Sequence, residues 1–171
     1  MTKIEGKYYQ SFCELAEAMA SVRSPKDVLD CIVERVAKAT GAKGCSLMLV
    51  QPDNKTLVYV AVYGLSEGYL QKGAVSAEKS VGEALAGKAV TFLNAPEDER
   101  IQYREEARRE GIVSILSVPM MFKGDAIGVL VVYMGKPHYF IKADIYFVTA
   151  AARLAAITLQ KAKELRMFGF T

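Results

Sequence analysis

Between Gly111 and Tyr133 two apolar runs flank the polar turn Lys123-Gly124-Asp125, a pattern that folds as an antiparallel hairpin. Ser114, Ser117 and Gly128 lie inside those runs, where a sheet serving packing alone favours Val or Ile. Glycine in a strand weakens packing and often marks the close approach of another group. The hairpin is therefore expected to face a ligand, and the chain reads as a binding module.

A chain of 171 residues is the size of one domain and can bury a full core. Its hydrophobic share of 51% and charged share of 24% are those of an ordinary globular protein. No stretch approaches the roughly 20 apolar residues of a membrane span, and the first ten residues lack an apolar signal region. A cytoplasmic location with no membrane partner is the expectation. Three widely spaced cysteines, an odd number, agree with a reducing compartment. The net charge of +3 is interleaved with acids and offers no continuous track for a phosphate backbone, so nucleic acid is not an expected partner. Arg104, Arg108 and Arg109 alternate with Glu105, Glu106 and Glu110 as on a solvated helix face.

Periodicity orders the elements. Phe12, Leu15, Ala16 and Met19 mark an amphipathic helix over 5–21, within an N-terminal segment of residues 1–22. Ser24, Pro25 and Asp27 supply an N-cap, a first-turn proline and a first-turn acid for a second helix. That helix turns Val28, Leu29, Ile32, Val33 and Val36 inward and stops at Gly41. Residues 44–50 and 56–63 read as strands around Pro52-Asp-Asn-Lys55. Gly64 to Val75 is a glycine-punctuated connection with one helical turn after Ser66. Ser80 and Glu83 resemble a capping box for a short helix ending at Gly87. A brief strand over 89–93, a polar run over 94–100 and a helix to Glu110 precede the hairpin. A long helix, within residues 141–168, closes the chain. Several strands are apolar on both alternating faces, so the sheet must be covered on both sides.

This order of elements resembles the GAF domain, a sensory fold related to PAS, over Ser24 to Ala162. The resemblance rests on Cys45-Ser-Leu-Met-Leu-Val50, Ala61-Val-Tyr-Gly-Leu65, Val81-Gly-Glu-Ala-Leu-Ala-Gly87, Gly111 with Ser114-x-Leu-x-Val-Pro119, Gly124-x-x-Ile-Gly-Val-Leu130, and Phe140 with Asp144. It implies a single GAF domain over 1–171 of α+β, three-layer architecture. A mainly antiparallel sheet would carry the terminal helices on one face and, on the other, a lid of short helices and loops over a small-molecule pocket. PAS, the structural alternative, does not predict the Ser-x-Leu-x-Val-Pro hairpin or the long helix before the first strand.

Reactive side chains are few. His138 is the only histidine, in the loop Gly135-Lys-Pro-His-Tyr139, and reads as an exposed polar residue with a haem ligand as the alternative. Cys13, Cys31 and Cys45 lie on apolar helix faces or a buried strand and read as small core hydrophobes. Metal sites need several Cys or His ligands, so none is expected. Relatives that reduce free methionine sulfoxide or attach a bilin use cysteines in the lid or pocket, where this chain has none. An enzyme is therefore not expected. The cyclic-nucleotide signature of phosphodiesterase relatives meets Gly135, Lys136, Phe140, Asp144 and Ile145 here, three matches of five. The implied inheritance is a structural salt bridge between Lys136 and Asp144.

Strand alternation groups Ser46 with Met48, and Ser114 with Leu116 and Val118, as pocket-floor candidates. Asn94, Asp98 and Tyr103 are the lid's candidates, since a few polar groups in an apolar concavity make a small-ligand site. The alternative is that the serines satisfy backbone groups and that Asn94 or Asp98 caps a helix. Tyr59, Tyr63 and Tyr133 read as core aromatics with hydroxyls at the rim. On the last helix Ile145, Val148, Ala152, Ala155, Leu159 and Ala162 form a heptad seam beside a second apolar set, Phe147, Ala151, Leu154 and Ile157. Phe12, Leu15 and Met19 with Val148, Ala152, Ala155 and Leu159 are the expected homodimer interface; alternatively the first helix covers that face. The expected function is a sensor that binds an unidentified small molecule and signals through its helices, with a separate signalling protein as the expected recipient. A ligand-free assembly module and a small redox or hydrolytic enzyme are the alternatives.

Overall fold

The computed structural model of the chain describes residues 1–22 and 24–167, with side chains as far as Glu164; residue 168, the last of the expected helical segment, lies outside the described residues. Helix α1 spans Lys3–Ser21 and α2 spans Pro25–Thr40. The first starts earlier than periodicity suggests because Thr2 and Glu5 form a capping box, each side chain bonded to the other's backbone N–H. Ser24 caps α2 as expected, accepting from the Asp27 N–H at 3.1 Å, and Gly41 ends it at φ 69°. Strands β1 (Gly44–Val50) and β2 (Thr56–Tyr63) follow, their turn held by the Asp53 carboxylate on the N–H groups of Lys55 and Thr56.

Short elements make up the next stretch: α3 (Glu67–Leu70), β3 (Val75–Ser76), α4 (Gly82–Leu85), β4 (Val90–Phe92), a 3-10 turn at Ala95–Glu97 and α5 (Arg104–Glu110). Two residues are too few to give a periodic signal, so β3 is invisible in the sequence. The Ser80–Glu83 capping box does not form: Val81 holds the cap position and the Ser80 hydroxyl accepts instead from the Gln102 N–H at 2.9 Å. Strands β5 (Ser114–Phe122) and β6 (Asp125–Met134) and helix α6 (Lys142–Met167) complete the chain.

The six strands run β3-β2-β1-β6-β5-β4, and every neighbouring pair is antiparallel. Alternation along the central strands feeds two cores. Cys45, Leu47, Leu116, Val118, Leu130 and Val132 meet α1, α2 and α6, while Met48, Ile115, Val129, Val131 and Tyr133 meet the connection between β2 and β5. That connection is the lid, and both faces of the sheet are covered as expected.

The hairpin serves packing more than its composition suggests. A Cβ on Gly128 would stand 2.1 Å from the Met48 carbonyl oxygen and 2.5 Å from Met120 Cε, so the close approach at this glycine comes from its neighbouring strands. Ser114 donates to the Leu93 carbonyl at 2.6 Å and accepts from the His138 N–H at 3.0 Å, which ties the end of β4 and the loop after β6 to β5. Of the three singled-out residues, Ser117 alone faces the lid.

The expected dimer seam is largely consumed within the chain. Leu15, Val148, Ala152 and Ala155 are buried, and Phe12, Met19 and Leu159 pack partly against the same core. The small alanines let α6 settle closely onto the sheet and against α2, with α1 closing the outer side. Cys13 is exposed, contrary to expectation, because α1 buries only Tyr8 and Leu15; Cys31 is half-buried and Cys45 buried.

A buried carboxylate fastens the helical layer. Asp144, in the first turn of α6, accepts from the Tyr8 hydroxyl on α1 and from the Ile141 N–H at 2.9 Å, and pairs with His138 Nε2 at 3.1 Å. The Tyr8 ring stacks on Phe147 with centroids 4.6 Å apart. Burial first, then Asp144, raises the Tyr8 pKa, so the hydroxyl stays a donor. The expected Lys136–Asp144 salt bridge is thus corrected: Asp144 points inward from α6, whereas Lys136 sits in the exposed turn after β6. His138 takes its place, half-buried and edge-on to Phe140 instead of free in solvent. Tyr8→Phe is expected to cost about 1–3 kcal/mol, because a buried acceptor loses its donor. Lys136→Ala should change stability by less than about 0.5 kcal/mol. Urea midpoints at constant m-value check both.

Candidate functional site

Beneath the lid lies a cavity of about 40 Å³, room for a few water molecules. Its floor comes from strand residues whose alternation turns them away from the helices: Met48 from β1, Tyr59 from β2, Phe92 from β4, Ser117 from β5, and Val131 and Tyr133 from β6. Tyr69, Lys72, Val75, Val81, Gln102 and Tyr103 close it from the lid side. The walls are mostly hydrocarbon and ring faces, with a few polar tips converging on the hollow.

Lys72 is the charged member of this lining. It follows α3, and its ammonium donates to the Tyr59 hydroxyl and, at 3.1 Å, to the Tyr69 carbonyl. The ammonium stands 3.9 Å from the Tyr69 ring centroid and 4.9 Å from that of Tyr59, so two negative ring faces favour the cation. Burial outweighs the distant carboxylates Glu106 and Glu110 and lowers the Lys72 pKa to about 8. Burial also raises the Tyr59 hydroxyl to about 12 and that of Tyr133 well above the ordinary value, so both remain neutral donors. The Tyr133 hydroxyl lies 3.0 Å from Ser46 Oγ in the buried floor.

The lid is held by a small set of polar links. Tyr103 donates its hydroxyl to the Ala74 carbonyl at 2.7 Å, and the Gln102 amide bridges that carbonyl and the Ser76 N–H at 3.0 and 2.9 Å. Gly73 permits this contact: its φ of 128° disfavours a side chain, and a Cβ there would stand 2.6 Å from the Tyr103 hydroxyl. At the far end Glu110 accepts from both the N–H and the hydroxyl of Ser66 and lies 3.9 Å from Lys43.

Of the residues expected at the pocket, Met48 and Tyr103 border the cavity, and Ser46 stands one hydrogen bond behind it through Tyr133. Leu116 and Val118 belong to the opposite, helix-side core, and Ser114 is engaged with Leu93 and His138. On β5 the lid-facing parity is the other one: Ile115 and Ser117 turn toward the lid. Asn94 and Asp98 also lie elsewhere, beside His138 and Tyr139 in an outer groove, where Asp98 grips Arg100 at 2.7 Å. Of the missed residues, Tyr69 sits in the single turn of α3 and Lys72 and Gln102 in irregular lid segments, all too short for periodicity. Three tyrosines converging on one lysine from positions 59, 69 and 103 leave no local motif to read.

Neither cysteine nor histidine occurs among the residues bordering the cavity. Burial raises the Cys45 thiol, which lies on the helix side of the sheet.

Known proteins set this architecture in context. The GAF domain of a phosphoenolpyruvate-protein phosphotransferase from Coxiella burnetii superposes with a TM-score of 0.83 at 20% identity, covering 98% of this chain and 99% of that one. The corresponding Acinetobacter domain gives 0.78 at 24% identity, with 96% and 98% covered. A free methionine-R-sulfoxide reductase from Neisseria meningitidis in complex with its substrate gives 0.78 at 17% identity, with 96% and 95% covered. At these identities the likeness concerns the fold. No curated protein matches the chain at a significant level. The model of the GAF domain matches residues 22–160, most of the chain, and its β-sheet, lid and terminal helices are those of that architecture: the chain belongs to the GAF domain family.

Proposed function

We propose that this chain is a non-enzymatic sensory module that binds a small molecule under its lid and passes occupancy to its helical layer. GAF domains are commonly sensory or regulatory, which supports the class. The observation that carries the reading is that Lys72, Tyr59 and Ser117 line one mostly apolar hollow. A hollow of this size admits a few heavy atoms as it stands; a larger metabolite requires the lid to swing on its Tyr103 and Gln102 links. Communication with the helices runs through the sheet, because Val131 and Tyr133 face the cavity while Leu130 and Val132, their neighbours on the same strand, face the helix-side core. A ligand shifts that arrangement only by its differential affinity for two states.

Homodimerisation through the terminal helices completes the proposal. With the seam buried inside the chain, the second copy meets the outer surface of α1, where Ile4 and Tyr9 are exposed, and that of α6, where Ile157 is exposed.

Thermal denaturation against a panel of polar metabolites tests the sensor. A cognate ligand at about 100 times its dissociation constant adds about 2.7 kcal/mol of stability. Ser117→Met, which fills the floor with a flexible apolar chain, should abolish that gain while the chain still folds. A panel without any shift refutes the sensor reading and leaves the assembly module. Sedimentation equilibrium tests the second part: a dimer that dissociates in Tyr9→Glu is expected, and a monomer at high concentration rejects it.

A further inference from the structure

Lys72 borders the cavity as a cation without a matching anion. Among the described residues no carboxylate lies within ion-pair distance of its ammonium; Glu106 and Glu110 act on it from further out, and Glu110 is engaged by Ser66 and Lys43. Lys72 is half-buried, and a charge withdrawn in part from water gains from an opposite charge beside it. An ammonium has three donors. Two are directed at neutral oxygens, the Tyr59 hydroxyl and the Tyr69 carbonyl, which leaves one without a partner among the described residues. Tyr59, having accepted from Lys72, keeps its own O–H to donate. Across the floor Ser117 is 1% exposed and borders the same space. Met48, Phe92 and Val131 supply the apolar remainder of the wall.

We infer that the hollow is a receptor for a small carboxylate, its oxygens held by the Lys72 ammonium and the Tyr59 and Ser117 hydroxyls and its short carbon end lying against Val131 and Met48. The inference rests on the pocket reading and specifies the charge of the occupant. A carboxylate supplies the counter-charge that Lys72 lacks and accepts from hydroxyls that face it, and one of formate or acetate size suits a cavity of about 40 Å³. A cationic occupant would meet the Lys72 charge head-on. A neutral amide would leave the ammonium unpaired.

The test is thermal denaturation of the full chain with sodium acetate, acetamide and methylammonium chloride at matched ionic strength. Acetate should raise the midpoint saturably, with the other two without effect. In Lys72→Met the acetate affinity should fall roughly tenfold to a hundredfold, the worth of a hydrogen-bonded charge. In the unaltered chain the affinity should also weaken as Lys72, with its pKa near 8 and facing Tyr59, Tyr69 and Tyr103, loses its proton, approaching about tenfold per pH unit above that value. This pH series decides the matter if Lys72→Met fails to fold. An equal response to acetamide, stabilisation by methylammonium, or an acetate response that survives Lys72→Met and rising pH overturns the anion assignment while leaving the pocket reading in place. Silence in all three arms also overturns it, and the pocket reading then stands or falls on the metabolite panel.

Discussion

Burial of the central strands on both faces is the constraint from which the rest follows. β1 and β6 lie in the middle of an antiparallel sheet, and neither presents a polar side to water. Such a sheet needs two covers. The helical cover is built from α1, α2 and α6, and its alanine-rich contacts bring the helices close. The second cover consists of short helices and turns, strung between the two brief edge strands β3 and β4. Helices packed by apolar seams exclude space; loops held by a few side-chain links can leave some, and the hollow lies under that looser layer.

The two covers differ in what holds them. On the helical side a buried carboxylate is satisfied by a tyrosine, a histidine and a backbone N–H, and α1 is fixed to the start of α6 through it. On the lid side the corresponding polar centre is an ammonium held by neutral oxygens and ring faces, with no carboxylate at ion-pair distance among the described residues. The first is a closed network and belongs to stability. The second is incomplete, and incompleteness at a cavity is what a ligand can remedy.

Regular elements were legible in the sequence because they carry periodic or capping signals. β1 and β2 fall at the expected residues, and Ser24 and Gly41 bound α2 as read. Failures arose where one residue of offset decides the outcome. On β5 a correct strand with the wrong parity exchanged Ser117 for Ser114, placing Leu116 and Val118 in a pocket they do not touch. Hydroxyls and a glycine in the hairpin looked functional, yet Gly128 answers to neighbouring strands and Ser114 to two backbone groups. Composition cannot separate a group that meets a ligand from one that meets its own backbone. Lys72 was missed for the opposite reason: its setting is assembled from three distant tyrosines, and only the folded lid brings them together. The seam on α6 was legible as a pattern, and most of its residues pack against the chain's own core.

Sensing under the lid requires the lid to be a separately movable layer over a permanent helical core. Native-state amide hydrogen exchange of the full chain measures this directly, since local openings exchange at lower free energy than global unfolding. Amides of residues 66–110 should exchange through openings that leave those of β1 and β6 protected, with the Ala74–Tyr103 region among the first to open. Lid amides that exchange only together with the central strands would mean that the covering is one rigid piece with the core, which contradicts a ligand-gated lid.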